Sequence, residues 1–274
     1  IFEHKTIRGM AVAALTGADR LPLLSEGDGG GAGQLPLPPV VSWLTEAAPA
    51  AADLADFNQA MLLTAPETIT ADQLAQVAAA VVAVHPMLSA RLTDDGGRWQ
   101  LTAGEPFAAA DAVHLVAVAA DPGSEEFTTA VREAHRSAAG RLDPSAARLV
   151  DVTLLTGPAA GRVLVTVHHL AVDAVSWPVL IEDLVTAWAQ IEHGQTTAIR
   201  REVTSFRAWQ QALADRGDHL AGQTDYWLAR APEAPTDLGG ALDTASDHYR
   251  STASVVQQID AEITSALLSR TPDA

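Results

Sequence analysis

The stretch VLVTVHHLAVDAVSW, residues 163–177, places two adjacent histidines at the end of an apolar run that is typical of a strand. Neighbouring residues of a strand point to opposite faces, so His168 and His169 cannot share one environment. We therefore expect one ring to face the packed interior and the other to face a cavity. Such an asymmetry suits a site better than a core.

Taken by themselves, these residues allow more than one interpretation. A neutral imidazole at the mouth of a cleft can accept a proton near neutral pH, because the ordinary pKa of histidine is about 6.5. Asp173 either orients such a ring or holds the following turn through backbone N–H groups. The alternative is a pair of structural histidines with satisfied hydrogen bonds. No metal site is predicted, because adjacent strand residues diverge and no further ligand lies at suitable spacing.

Composition narrows the class of protein. The chain has 274 residues, of which 48% are hydrophobic, and its 17 Lys+Arg against 34 Asp+Glu give a net charge of −17. This charge repels phosphate backbones and argues against a nucleic-acid partner. No apolar run approaches the ~20 residues of a membrane span, no signal peptide is apparent at the start, and there is no cysteine. We predict a soluble, cytoplasmic protein that does not bind a membrane.

Strand and helix patterns alternate along the chain. The strand patterns cover residues 57–63, 87–92, 98–102, 112–118, 149–155, 163–167 and 254–259. The helix patterns cover 71–84, 124–140, 176–194, 205–215, 219–230 and 261–269, with Thr70, Ser124 and Ser176 as N-caps. Because a hairpin at Asp94–Gly97 interrupts this order, an α/β or α+β fold is predicted rather than a doubly wound parallel sheet.

The chain is predicted to divide into four parts. A short helix over 1–15 precedes a flexible linker over 16–34, which contains SEGDGGGAGQ. The main domain covers 35–236. Residues 237–274 carry a second linker, a lone strand and a helix, which cannot bury a core of their own. They are therefore interpreted as the start of a second lobe.

The flanks of the histidine pair resemble the HHxxxDG core motif of the condensation-domain superfamily of nonribosomal peptide synthetases. In the family's order, the chain also carries LPLPPVVSWL, FNQAMLL, HPMLSARL, TSFRAWQQAL and TDYWLAR, while IFEHKTIRGMA resembles the last helix of a carrier-protein domain. The resemblance implies a two-layer, chloramphenicol-acetyltransferase-like sandwich, with the motif at the floor of a channel between two lobes. It also implies that a carrier protein and neighbouring synthetase modules are the partners. A phosphopantetheine thioester would be the substrate arm, with no cofactor bound directly.

The resemblance assigns a role to each residue of the motif. His169 matches the catalytic base, His168 a buried structural histidine, and Asp173 an aspartate that the family usually holds in an ion pair. Two residues depart from the family's pattern, because Ala174 replaces the usual glycine and Pro178 an arginine common in epimerization domains. These departures put catalytic competence in question but not the fold.

Within the superfamily, the order Ser176–Trp177 and the FNQ opening are most similar to epimerization domains. Such a domain converts the α-carbon of a carrier-bound aminoacyl or peptidyl thioester from L to D, with a glutamate of the second lobe as the other acid/base. No such motif occurs before Ala274, so residues 1–274 alone are expected not to epimerize. Two alternatives remain: a condensation domain in which His169 assists amine attack on a thioester, and a non-catalytic domain that docks a carrier or recruits another enzyme.

Two other histidines are predicted to be structural or solvent-facing rather than part of a site. His85 lies at a helix end before a proline, and His193 lies in the last turn of a helix, where a cation suits the helix dipole. Trp188, Trp209 and Trp227 lie at helical spacing in apolar stripes and are predicted to be core residues.

Overall fold

A computed structural model of the protein describes residues 30–47, 57–104, 109–157, 161–230 and 257–269, together with residues 6, 8, 24, 26, 54 and 255. The chain divides into two units, Ile1–Ala234 and Pro235–Ala274. The helix predicted over 1–15, apart from residues 6 and 8, and the start of the segment predicted over 237–274, up to residue 254, lie outside the described residues. No helix in the described ranges is long and apolar enough to cross a membrane.

The first unit combines the predicted succession of strands and helices with a strand and a helix at residues 33–47 that were not predicted. Its strands are β1 (Gly33–Leu35), β2 (Asn58–Thr64), β3 (Arg91–Asp95), β4 (Arg98–Ala103), β5 (Val113–Ala117), β6 (Val150–Thr156) and β7 (Arg162–His168). Its helices are α1 (Pro39–Ala47), α2 (Ala71–Val84), α3 (Glu125–Ala139), α4 (Ser176–Glu192), α5 (Phe206–Ala214), α6 (Gly217–Ala221) and α7 (Thr224–Leu228). The segments Pro86–Ser89, Ala109–Ala112 and Pro144–Ala146 are short 3₁₀ helices.

The larger sheet carries the histidine pair. Its strand order is β2-β7-β6-β5, antiparallel except for the parallel pair β5–β6. Alternate residues of β7 serve two cores: Val163, Val165 and Val167 pack with α2 and α4, while Leu164 packs with Phe127 of α3. Because a strand's side chains alternate between faces, this apolar strand places helices on both sides of the sheet.

The smaller sheet has the order β1-β4-β3 and contains the predicted hairpin. Gly96 and Gly97 have φ of 62° and 87°, left-handed values that a two-residue hairpin turn requires and glycine adopts readily. The strand pattern predicted over 87–92 is only partly correct. Residues 86–89 form a 3₁₀ helix that begins at Pro86, since proline lacks the N–H that a strand ladder needs.

The predicted flexible linker 16–34 is wrong at its C-terminal end. Gly33 and Gln34 belong to β1 and pair with β4, and the hydroxyl of Ser205 donates to the carboxylate of Glu26 at 2.8 Å. A Cβ added to Gly31 would lie 2.8 Å from the side chain of Pro86. The glycine at this position therefore permits close packing rather than flexibility, which composition alone does not distinguish.

Most predicted helices are confirmed, but one is interrupted. The predicted N-cap Thr70 forms a capping box with Gln73 at the start of α2, and the predicted N-cap Ser124 caps α3. The helix predicted over 219–230 is instead the two short helices α6 and α7.

The core prediction fails for two of the three tryptophans. Trp209 is 50% exposed and Trp227 is 62% exposed, while Trp188 is partly buried. Helix α5 contacts β1 and buries Gln210 instead. Helical spacing shows which residues share a face, but it does not show whether another element covers that face.

The second unit is described over residue 255 and residues 257–269. Helix α8 (Ala261–Ser269) is present as predicted, and the carboxylate of Asp260 accepts from the N–H of Ile263 at 2.9 Å. The strand predicted over 254–259 is not confirmed at residues 255 and 257–259, where the backbone is irregular and Val255 is 94% exposed. A strand needs a partner for its backbone groups, and the described part of the chain supplies none for this segment.

Candidate active site at the histidine pair

His168 ends β7 as a structural residue. Its side chain is 1% exposed, and its Nε2 lies 2.7 Å from the carbonyl oxygen of Leu54. Since a carbonyl only accepts, Nε2 carries the proton, and Nδ1 accepts from the N–H of Leu170 at 3.1 Å. Burial lowers the pKa of His168 to about 4, although the bond to Leu54 opposes this shift. The ring is therefore neutral and fully hydrogen-bonded at neutral pH.

His169, the next residue, occupies a different environment. It is only partly buried, and its ring stacks on Phe57 with the centroids 4.6 Å apart. Its Nδ1 lies 2.7 Å from the carbonyl oxygen of Val172, so Nδ1 carries the proton and donates. The remaining nitrogen, Nε2, holds a lone pair. The two histidines thus adopt opposite tautomers: the proton lies on Nε2 in His168 and on Nδ1 in His169. In His169, Nε2 is the nitrogen that can accept a proton.

Trp177 orients the amide of Gln59, and that amide donates to the lone pair on Nε2 of His169. The indole N–H of Trp177, which can only donate, points to Oε1 of Gln59 at 2.7 Å. This contact turns the amide nitrogen of Gln59 toward Nε2 of His169, at 3.1 Å. Each of the three hydrogen bonds in this series, from Trp177 to Gln59, from Gln59 to His169 and from His169 to Val172, pairs a donor with an acceptor.

The sequence reasoning did not identify Gln59 as part of the site. A signal was present in the sequence, because Gln59 belongs to the FNQ opening of a predicted strand. In the structure it lies directly opposite the core residue Val167. A polar side chain on the core-facing side of a sheet needs a hydrogen-bond partner. Finding which partner it has required the structure.

Asp173 shapes the turn between β7 and α4. Its Oδ1 accepts from the N–H groups of Val175 and Ser176, at 3.0 and 2.9 Å, and from the Ser176 hydroxyl at 2.8 Å. The bond from the Ser176 hydroxyl is the largest of the effects that lower the pKa of Asp173. Ser176 is therefore not the N-cap that the sequence predicts but the first helical residue, and Asp173 supplies the acceptor. Of the two roles open to Asp173, the described contacts are those of the turn.

The two residues that depart from the family's pattern cause no backbone strain. Ala174 is exposed in the turn and is not among the described residues with positive φ, so no glycine is needed there. Pro178 is the third residue of α4, where an N–H has no partner within the helix. Proline at that position removes no intrahelical hydrogen bond.

A third histidine, His85, supports α4 through a hydrogen bond to Asp183. His85 is buried, with Nε2 2.6 Å from Asp183 of α4 and Nδ1 2.9 Å from Glu202. Burial by itself lowers the pKa of His85, but the bonds to Glu202 and Asp183 outweigh it and raise that pKa above its ordinary value. The predicted structural role of His85 is confirmed: it ties the end of α2 to the helix that carries Trp177.

Sequence comparisons point to one family. The model of the condensation-domain family matches residues 51–271. A linear gramicidin synthase from Brevibacillus parabrevis is 28% identical over 274 residues, 100% of this chain. A nonribosomal peptide synthetase of Cordyceps militaris is 30% identical over 246 residues, 88% of this chain. The chain spans 5% of the length of each of these relatives.

Structural comparisons agree on the fold. The epimerization domain from the third module of a tyrocidine synthetase matches with a TM-score of 0.63 and 22% identity, over 75% of this chain and 46% of that one. The starter condensation domain of rhizomide synthetase matches with a TM-score of 0.58 and 14% identity, over 74% and 49%. These similarities confirm the predicted chloramphenicol-acetyltransferase-like α/β lobe.

Proposed function

This chain belongs to the condensation-domain family, whose model matches most of its length, and we propose that it acts in a nonribosomal peptide synthetase as an epimerization domain. One observation carries this choice over peptide-bond formation. The two sequence features that resemble epimerization domains, the FNQ opening and the order Ser176–Trp177, meet at the base: Trp177 donates to Gln59, and Gln59 donates to His169.

The order of the serine and the tryptophan has a physical consequence. Successive residues of a helix are rotated by about 100° around its axis. With the order reversed, the indole at position 176 would point away from β2, and Gln59 would lose the donor that orients its amide. The sequence features shared with epimerization domains therefore have a physical effect, because they determine which group faces Nε2 of His169.

In the proposed reaction, His169 removes the α-proton of a carrier-bound aminoacyl or peptidyl thioester. The thioester carbonyl makes that proton acidic, and Nε2 accepts it to form an imidazolium. The imidazolium keeps its Nδ1–H bond to the carbonyl oxygen of Val172, which stabilises the new positive charge. A second acid/base must return a proton to the opposite face of the enolate. The family resemblance implies a glutamate for that role.

The proposed partner is a carrier protein that delivers the thioester on its phosphopantetheine arm. The names of the relatives describe peptide synthases, in which intermediates of this kind are expected. The resemblance implies that no further cofactor is bound, because the side chains and the thioester supply the chemistry. A cytoplasmic location fits a substrate attached to such a carrier.

The reaction is tested with the full natural chain and a carrier loaded with an α-deuterated aminoacyl thioester. We expect deuterium to be lost to solvent and a mixture of D and L residues to form, both measured after release by mass spectrometry and chiral chromatography. His169→Ala should slow deuterium loss by ~10²–10⁴-fold, the usual effect of removing one general base. The control is His193→Ala, which removes an exposed histidine at the end of α4 whose Nδ1 donates to the Ala189 carbonyl oxygen.

Two results would contradict the proposal. If deuterium is fully retained and an amide forms when an acceptor carrier is supplied, the chain is a condensation domain. If deuterium is retained and no product forms, the chain serves in docking or recruitment.

A further inference from the structure

We propose that Gln59 is a positioning residue that keeps Nε2 of His169 unprotonated and marks the place where the substrate's α-carbon must lie. The proposal rests on the proposed function for its second half, because only a reacting substrate needs that place. Its first half, the protonation of His169, stands on hydrogen-bond geometry alone and is measurable without any activity.

The orientation of the Gln59 amide is set by a buried neighbour. The Trp177 side chain packs in the core between α4 and the sheet, and the residue is only 6% exposed. Its indole nitrogen has no acceptor capacity, so the Gln59 atom 2.7 Å away must be the carbonyl oxygen. The amide –NH₂ group therefore faces His169. A rotation of the amide by 180° would place two donors against each other at the tryptophan.

This orientation opposes a proton on Nε2. In the neutral ring, Nε2 accepts from the Gln59 amide at 3.1 Å. In an imidazolium, the Nε2–H would face an N–H donor at the same distance, and the hydrogen bond would be lost. The carbonyl of Val172 is satisfied in both states, because Nδ1 donates in both. Among the hydrogen bonds of the ring, the one from Gln59 is thus the one that distinguishes the two protonation states of His169. It acts against the attraction between a charged ring and the carboxylate of Asp173.

The backbone fixes the face of the sheet on which Gln59 lies. It lies within the antiparallel pairing of β2 with β7, opposite Val167. Asn58, the preceding residue, points to the other face, where its Oδ1 lies 2.8 Å from Nε2 of His135. The alternation that directs His168, the last residue of β7, away from His169, the residue after it, therefore also separates Asn58 from Gln59 on β2.

The same contact locates the reacting atom. Nε2 has a single lone pair, directed at the amide nitrogen of Gln59. A carbon acid transfers its proton along that direction, so the α-carbon must take the place of the amide nitrogen. Gln59 has to swing aside when the thioester binds.

The sharpest test is Gln59→Glu, which keeps the shape of the side chain but replaces the amide donor by a carboxylate acceptor. The carboxylate accepts from Trp177 and from a protonated Nε2, so His169 should carry protons on both nitrogens at neutral pH. Nitrogen-15 NMR of the imidazole distinguishes this state from the single Nδ1–H tautomer expected in the unaltered protein. Deuterium loss from the carrier-bound substrate should fall by at least about 100-fold.

Gln73→Glu is the matched control. It makes the same chemical change in the capping box of α2, where Oε1 alone accepts from Thr70 and a carboxylate does the same. We expect no change in the imidazole spectrum of His169 or in deuterium loss.

Each outcome decides one of the two proposals. A single proton on His169 in Gln59→Glu would overturn the positioning role. If that variant does not fold, an Nε2–H tautomer in the unaltered protein would overturn it equally. If the spectra are as expected but the unaltered protein never releases deuterium, the positioning role holds and the epimerization proposal fails.

Discussion

Acidification should destabilise the first unit through His168, and the size of the effect follows from its burial. The folded-state pKa of His168 is about 4, against 6.5 for an exposed histidine. Between pH 6.5 and about pH 4, His168 binds a proton in the unfolded chain but stays neutral in the folded chain. The contribution of a neutral His168 to stability is therefore complete above pH 6.5 and is lost as the pH falls toward the folded-state pKa.

The magnitude can be worked out from these two values. Each unit of pKa difference corresponds to 1.36 kcal/mol, so the full difference amounts to about 3 kcal/mol of unfolding free energy. About 2 kcal/mol of this should be lost between about pH 7 and pH 5. Two other histidines contribute with opposite signs, because burial lowers the pKa of His135 while Glu202 and Asp183 raise that of His85.

A variant separates His168 from these other groups. His168→Gln retains a donor and an acceptor but does not titrate, so its unfolding free energy should fall by about 2 kcal/mol less than that of the unaltered protein over the same pH interval. Urea denaturation followed by circular dichroism at each pH measures both slopes. Parallel slopes for the two proteins would contradict this prediction, as would an NMR titration midpoint of the His168 ring near that of an exposed histidine.

Two further substitutions test the contacts that hold the sheet and the turn. Arg141→Met should lower the unfolding free energy by about 3 kcal/mol, because the carboxylate of Asp151 loses its main counter-charge. Asp151 is almost fully buried and lies 2.6 Å from Arg141. An unchanged denaturation midpoint would contradict this prediction. Asp173→Ala should cost about 1 kcal/mol by removing the acceptor at the start of α4, while Asp173→Asn should cost less since it keeps that acceptor. Equal losses in the two Asp173 variants would show that charge, not capping, matters there.

Much of the fold could be predicted because it depends on local patterns. The capping box of α2 requires only Thr70 and Gln73 at the right spacing, and the hairpin requires only Gly96 and Gly97 between two strands. The period-two alternation of β7 predicts both a buried strand and the separation of His168 from His169. Each of these features involves residues that are neighbours along the chain.

Errors arose where a local pattern has two physical explanations. Gly31 looks like part of a flexible segment, yet it allows close contact with Pro86. Trp209 lies at core spacing, but no described element covers it. Ser176 has the chemistry of an N-cap, and only the position of Asp173 shows that it is the first helical residue. In each case the deciding neighbour is set by the path of the backbone.

The opposite directions of His168 and His169 follow from the sequence, because side chains alternate along a strand and His169 directly continues β7. What each ring does depends on contacts between distant parts of the chain. The carbonyl oxygen of Leu54 accepts from Nε2 of His168, so the proton of that ring lies on Nε2. The amide of Gln59, 110 positions before His169, donates to the lone pair on Nε2 of His169. Hydrogen bonding is directional over about 3 Å, so the state of a ring depends on which distant segments packing brings to it.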